Sequence, residues 1–429
     1  MGVWLVILMI VFLFLGMPVA FALGVAGIIG LFLVGGWESV FSILSTVPFR
    51  TAAHYTLSTL PMFILMAQFI SASKIVDEIF VAAQRWLERL PGGMAIATIF
   101  AAAGMAAMSG SSTASAATLS TIAVPQMKKY GYSDRVATGV VTVAGTLAIM
   151  IPPSIAFVLY GIITETSIGK LLIAGIIPGI LTAAMYCIGI LVWNKAVPGT
   201  MPPSTSIYSW KERWDSVKPL WAFIILASTV IGSMYVGLAT PTEAAAFGAF
   251  GALIIPLALR RMTKKAFGRA VIGSIRATTM IFTIIIGAMI FGYFLTLTQT
   301  TQNLITFLGA MQVHRWVIMG CITFMYLVLG CIMDQVAIIL ITLPLVFPLI
   351  VSLGFDPIWF GVISVKLAEM GLITPPVGMN AYVVSATTKV PLEEVFKGTG
   401  TLLLVDTISL IILLAFPILS TWLPSRMMG

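Results

Sequence analysis

Charged residues are scarce in this sequence: they fill 9% of its 429 positions, against about 25% in soluble domains of ordinary composition. That shortage excludes a soluble globular class at this length. Acidic residues are rarer than basic ones, 15 against 23, which leaves a net charge of +8. The excess does not point to nucleic acid, because the basic residues sit in short connections between apolar runs. Only three cysteines occur, Cys187, Cys321 and Cys331. An odd number inside apolar segments builds no disulfide framework. The two histidines, His54 and His314, stand far apart in sequence. No zinc spacing, nucleophile elbow or phosphate loop is present. The start, MGVWLVILMIVFLFLG, lacks the basic flank of a signal peptide and reads as a first spanning helix. Val6 stands where a myristoylation signal needs Ser or Thr.

What is abundant is apolar sequence, 59% of the chain, in runs of the length a bilayer demands, about 20 residues. Residues 3–34 read as one long span, bent near Pro18, with Trp37 and Glu38 at an interface; 50–73 read as a second. Residues 74–90 alternate charge and bulk at helical spacing, which predicts an amphipathic helix lying in the interface with Trp86 as its anchor. Residues 94–127 are interrupted at Ser109–Ser115 into limbs of about 14 residues, each too short to cross. With Arg85 and Arg89 before and Lys128 and Lys129 after, both ends are expected on one side, so the segment reads as a re-entrant hairpin. Spans follow at 136–165, broken at Pro152-Pro153, and at 171–194. The polar stretch 195–218 carries a second amphipathic piece. Two spans, 219–237 and 243–259, lead to the strongest basic cluster, Arg260 to Arg269, which is expected to be cytoplasmic. The rest reads as a span at 277–298, a polar outer-interface stretch at 300–315, a second hairpin at 316–350 broken at Gly330–Asp334, a span at 357–387 broken at Pro375-Pro376, and a last span at 398–421. About ten spans plus two hairpins result. The N-terminus is then cytoplasmic and the C-terminus periplasmic.

The two broken regions echo each other. A shift of 223 positions lays residues 131–175 on 354–398, and Gly131, Pro152, Pro153, Thr164 and Gly175 fall on Gly354, Pro375, Pro376, Thr387 and Gly398. Glycine and paired prolines dictate backbone shape, so their recurrence marks a structural repeat. The hairpin ends come out inside in the first copy and outside in the second, which makes the halves inverted. Interrupted apolar segments at matching places in two halves point to the binding site of a secondary transporter.

Non-helical backbone at membrane depth is tolerated where it lines a cavity or is buried in protein. The hairpin tips and the Pro-Pro breaks are four such places. Proline frees the carbonyl one turn back, and freed carbonyls and hydroxyls suit a hard alkali cation such as Na+. Half-helix N-termini suit an anion. Ser109, Gly110, Ser111, Ser112 and Thr113 crowd the first tip with small polar groups, which either bind a ligand or let helices pack closely. Asp334, at the second tip, is the only acid between Glu243 and Asp356. It is a functional candidate by its depth and a helix cap by its type. Lys366 and Glu369, three apart, read as an ion pair that lowers the cost of burying both. Thr240-Pro241-Thr242-Glu243 reads as a capping box. Asp406 is intramembrane but far in sequence from either break, and Cys331 reads as a packing residue.

At these residues a resemblance becomes specific. GMPVAFALG, GSSTASAATLSTIAVPQM, IPPS, ATPTEAAAFGAFGALI and ITPPVGMNAY together resemble the large membrane subunit of TRAP (tripartite ATP-independent periplasmic) transporters, the DctM-like family, over essentially the whole chain. The resemblance implies an all-α polytopic membrane protein with inverted structural repeats, two re-entrant hairpins, two broken helices and an elevator motion. It implies no enzyme, but Na+-driven import of an organic anion, a C4-dicarboxylate or a sugar acid such as sialic acid, across the bacterial inner membrane. The implied partners are a periplasmic substrate-binding protein and a small four-helix membrane subunit. No extra helices precede Met1, so that subunit is expected as a separate chain. The expected division is 1–90 scaffold and interfacial helix, 91–194 first hairpin and transport helices, 195–315 linker, scaffold and second interfacial helix, and 316–429 second hairpin and transport helices. By symmetry one sodium site is expected from Ser109, Gly110, Ser111, Ser112, Gly145, Thr146 and Pro152. A second is expected from Gly330, Met333, Asp334, Glu369, Gly371, Thr374 and Gly378. Substrate contacts are expected from Ser112, Thr113, Ser154, Pro376 and Asn380. A binding-protein-independent carboxylate carrier of related architecture, or a channel, is the alternative; an intramembrane enzyme would need a nucleophile with a base, or a metal cluster, which the residues do not supply.

Overall fold

Glycine, proline and short polar side chains set the helix ends. The computed structural model describes residues 2–73, 75–202, 208–310 and 313–427, and among these the chain is helical with no strand. Met1, Lys74, residues 203–207 and residues 311–312 of the stretches singled out above lie outside the described residues.

The first half begins with α1 (Gly2–Phe14) and α2 (Val19–Ala52). The single span expected over 3–34 is therefore two helices. Gly16 takes a left-handed φ of 83°, and Pro18 caps the start of α2 because its ring fixes a φ that suits a helix entry but cannot continue α1. Trp37 and Glu38, expected at an interface, lie inside α2, just past irregular backbone at Gly35 and Gly36. Then come α3 (Thr59–Ser71), α4 (Ile75–Leu87), α5 (Gly93–Ser109), α6 (Ser112–Lys129), α7 (Asp134–Met150), α8 (Ile155–Thr164), α9 (Ile168–Ala174) and α10 (Ile176–Ala196). The first hairpin, α5–α6, has limbs of 17 and 18 residues, longer than expected. The break shrinks to Gly110 and Ser111: Gly110 turns the chain with φ +59°, and Ser111 caps α6 at once. The axes of α7 and α8 diverge by 42° across the first Pro-Pro break.

The second half runs α11 (Trp210–Val217), α12 (Trp221–Ala227), a π turn, α13 (Ser233–Tyr235), α14 (Pro241–Ala258), α15 (Lys264–Leu297), α16 (Thr300–Ala310), α17 (Arg315–Gly330), α18 (Gln335–Ser352), α19 (Pro357–Gly371), α20 (Met379–Thr388), α21 (Leu392–Ala415) and α22 (Ile418–Met427). The Thr240–Glu243 capping box forms, with Pro241 at the first helical position. Ser133, Ser154, Ser167, Asp334 and Asp356 each accept a backbone N–H at a helix start; such caps contribute about 1 kcal/mol apiece. Among the described residues seven helical runs are long and apolar enough to cross a bilayer, or up to nine if each bent pair counts as one span. The chain is a multi-pass membrane protein.

The centre is formed by the broken helices. Every residue of α7 from Val136 to Met150 is buried, as is every residue of α19 from Trp359 to Gly371. The first hairpin packs on α7, α17 and α18 pack on α19, and α21 touches both. On the other side, α2 and α15 run against each other. Gly27 permits this, since a side-chain carbon there would lie 2.9 Å from the Phe291 backbone nitrogen.

The two amphipathic pieces, of which 74–90 is expected to lie in the interface, clasp each other. Arg85 Nη1 donates to the Glu212 carbonyl and Trp86 Nε1 to the Arg213 carbonyl, both at 3.1 Å. Trp86 meets Trp210 and Trp214 edge to face. Trp86 is thus half-buried inside the chain, and the exposed aromatics of this face are Trp210 and Trp214. A further tie, Arg261 to Glu78 at 2.7 Å, holds α4 to the turn before α15.

Candidate functional site

The four non-helical places of the sequence meet. At the first tip, a side-chain carbon on Gly110 would lie 3.2 Å from the Pro153 carbonyl, and one on Gly145 would lie 3.0 Å from the Ser112 carbonyl. Tip and break of the first copy are therefore in direct contact. In the second copy Gly378 N donates to the Cys331 carbonyl at 3.4 Å. Gly330 and Gly371, the last residues of α17 and α19, touch backbone to backbone. Small residues stand at these positions because two helix backbones can approach this closely only without side chains.

Between the two tips lies a cavity of about 660 Å³. Ser109, Gly110, Ser111, Ser112 and Thr113 line it from the first tip; Asp334, Gln335 and Val336 line it from the second. Its far wall is Gln68 and Ser71 of α3 with Met280 and Ile281 of α15. The N-terminal turns of α6 and α18 both open onto it, and helix starts carry partial positive charge and free N–H groups. A larger cleft of about 1100 Å³ separates α1 and α15 from the second hairpin. Its lining is almost wholly apolar, so it offers too few polar groups to orient a charged ligand.

The remaining expected residues fall around and beneath the cavity. Thr146, nearly fully buried, shares a hydrogen bond with the Tyr186 hydroxyl at 3.1 Å. Pro152 is buried, and buried Ser154 caps α8 by accepting from Phe157 N at 3.3 Å. Met333 and Thr374 are half-buried, while Pro376 is exposed and outside the cavity lining. Asp334 Oδ1 accepts from Val336 N at 3.2 Å, so the carboxylate caps α18 and faces the cavity at once. Asn380 does not stay with the second break: its Nδ2 donates to Ser112 Oγ at 2.7 Å, which ties the second copy to the first tip.

The expected Lys366–Glu369 pair is a correction. Lys366 Nζ pairs with Asp406 Oδ1 instead, both buried, and donates to Thr182 Oγ1 at 3.3 Å. Ser409 Oγ donates to the same Asp406 oxygen at 3.3 Å, and the Lys366 ammonium lies 5.9 Å from the centre of the Tyr186 ring. Helix-surface geometry allows an i,i+3 pair, but α21 delivers a better-placed carboxylate to the same ammonium. Asp406, set aside for its distance along the chain, was missed; its only sequence signal was a lone acid within an apolar helix. Glu369 is buried at 1% exposure in the middle of this group. Among the described residues no group of three or more His, Cys, Asp or Glu side chains could hold a metal ion.

Comparison with known proteins gives a consistent answer. A family model described as "Tripartite ATP-independent periplasmic transporter, DctM component" matches residues 6–419. The C4-dicarboxylate TRAP transporter large permease protein DctM of Pseudomonas aeruginosa is 35% identical over 94% of both chains. The sialic acid TRAP transporter large permease protein SiaM of Vibrio cholerae is 28% identical over 97% of both, and the ectoine TRAP transporter large permease protein TeaC of Halomonas elongata is 29% identical, again over 97% of both. Among solved structures, the YdaH transporter of Alcanivorax borkumensis shares the fold with a TM-score of 0.59 at 13% identity, covering 89% of each chain.

Proposed function

The chain belongs to the DctM-component family of tripartite ATP-independent periplasmic transporters, and from that premise we propose that it is the large membrane subunit of a Na+-coupled importer of an organic anion in the bacterial inner membrane. The observation that carries this reading is the convergence of both hairpin tips, with their hydroxyls and the Asp334 carboxylate, on one cavity. The helix starts there suit a carboxylate, and the hydroxyl and carbonyl oxygens packed at each tip and break suit Na+. The named substrates of the relatives, C4-dicarboxylate and sialic acid among them, make a small dicarboxylate or a sugar acid the substrate class. A periplasmic binding protein delivers it, and a small four-helix membrane subunit covers the apolar scaffold face.

In this reading the two halves are inverted repeats. Residues 91–194 and 316–429 move as a transport unit against the scaffold built around α2 and α15, in the manner of an elevator. One sodium ion sits where the first tip meets the Pro152 break and another where the second tip meets the Pro375 break. Inverted halves require the Arg260–Arg269 cluster inside and the tail after Trp422 outside. Reporter fusions at the two positions are expected to report opposite sides; the same side for both removes the inverted arrangement.

Uptake of labelled succinate and labelled sialic acid into proteoliposomes, with the small subunit present and the binding protein added or omitted, tests the function. Uptake is expected to need both Na+ and the binding protein. Asp334→Asn is expected to raise the Na+ concentration for half-maximal uptake several-fold, because it removes a negative charge that low dielectric strengthens. Unchanged Na+ dependence in that variant leaves Asp334 as a cap alone.

A further inference from the structure

Glu369 is 1% exposed, and the Ser112 hydroxyl is the donor that stands beside its carboxylate, without closing a hydrogen bond of ordinary geometry to either oxygen. The base nearest to it along the chain, Lys366, is taken by Asp406. The Ser112 hydroxyl, Lys366, Asp406, Asp334 and Tyr186 stand close enough to Glu369 to interact with it. One buried base thus stands against two buried acids, and Asp334 adds to the surplus rather than offsetting it. On the same Ser112 hydroxyl, Asn380 is fully buried and its Oδ1 has no donor among the described residues, because its Nδ2 is turned to Ser112 Oγ at 2.7 Å. The Asn380 bond uses one lone pair of that hydroxyl and leaves another.

The cluster therefore offers a carboxyl group, an amide oxygen and a hydroxyl oxygen, with more acids than bases around it. Such a set repels an anion. Hard oxygen donors suit an alkali or alkaline-earth ion, and the Na+ coupling proposed above makes a monovalent alkali ion the choice. We propose that Glu369, Asn380 Oδ1 and Ser112 Oγ form a third site for a monovalent alkali cation, bridging the two halves of the chain. It deepens the sodium reading given above and rests on it: the two symmetric sites each belong to one half and are left to the remaining tip and break residues, whereas this one takes over Ser112, expected in the first site, and Glu369, expected in the second, and adds Asn380 from beyond the second break. No copy of it is generated by the repeat, since Asn380 crosses to the opposite half.

Equilibrium binding of radioactive ²²Na+ to the purified full chain in lipid nanodiscs tests this without needing a substrate. The wild-type chain is expected to bind three ions, Glu369→Gln two, and Glu369→Asp three with weaker affinity for one. Two ions on the wild-type chain overturn the proposal and leave the symmetric sites standing. An unchanged count in Glu369→Gln also overturns it and assigns the acid a proton instead. The wild-type count needs no variant, so it stands even if Glu369→Gln fails to fold. No binding at all, with Na+-independent uptake, removes the whole sodium reading.

Discussion

Gly371→Ala is expected to reduce uptake to near background while leaving the chain expressed and membrane-inserted. Gly371 ends α19 against Gly330 at the end of α17, and a methyl group there would lie 2.5 Å from the Gly330 carbonyl carbon. Backbone cannot rotate aside as a side chain does, so the two helix ends must part. Overpacking of this kind costs about 1–3 kcal/mol, too little to unfold a well-buried core. The displacement, however, falls where the Cys331 carbonyl receives Gly378 N and joins the second tip to its break. A cage of oxygen ligands loses an ion when its members shift by a fraction of an ångström. Gly330→Ala should behave the same way, since its added carbon would lie 2.6 Å from Gly371 Cα. Gly400→Ala, whose added carbon meets nothing within 4 Å, is the control and should transport like wild type. Uptake at matched protein amounts decides the matter: wild-type rates in Gly371→Ala would show that this contact does not set the site.

Asp406→Asn is expected to be the most destabilising single change in the polar group behind the site. Asp406 is fully buried and Lys366 nearly so, and each is the other's ion-pair partner. Removing one partner leaves a buried charge uncompensated, which costs about 3–5 kcal/mol. The Lys366 ammonium would lose its ion-pair partner and keep the Thr182 hydroxyl, the face of Tyr186 and the more distant carboxylate of Glu369. Lys366→Met should cost a similar amount by stranding Asp406. Replacing both at once with apolar residues, Lys366→Met with Asp406→Leu, should recover most of the loss, because the desolvation cost of both charges disappears together. Thermal unfolding in detergent, with monodispersity as the second readout, measures all three. A double variant no better than either single one would show that the pair fixes the packing of α19 on α21 as well as balancing charge.

Much of the site was legible before any fold was known. The first-tip hydroxyls, Asp334 and both Pro-Pro breaks stood out because each disrupts an apolar run, and such a disruption is costly in a membrane unless buried or functional. The Thr240 capping box was legible for a similar reason, since cap chemistry is contained within four residues. Two of the assignments that failed depended on a partner elsewhere, and a third on a local ambiguity. Lys366 was given to Glu369 because that carboxylate is three residues away, when the one that binds it is forty away. Trp86 was given to the lipid interface because no sequence rule announces that Trp210 and Trp214 will cover it. The first span was read as continuous because a bend and a break at proline look alike along the chain.

The sequence by itself determined the membrane class, the places where helices stop and the residues that stop them. These follow from hydropathy and from backbone constraints at glycine and proline, which act over a few residues. Only the tertiary structure decided which polar groups face one another. Ser112 and Asn380 are 268 positions apart, and Glu369 owes its surplus charge to α21 having claimed its neighbouring lysine. Such pairings are fixed by how the two halves pack, a property of surfaces that no local stretch of chain carries.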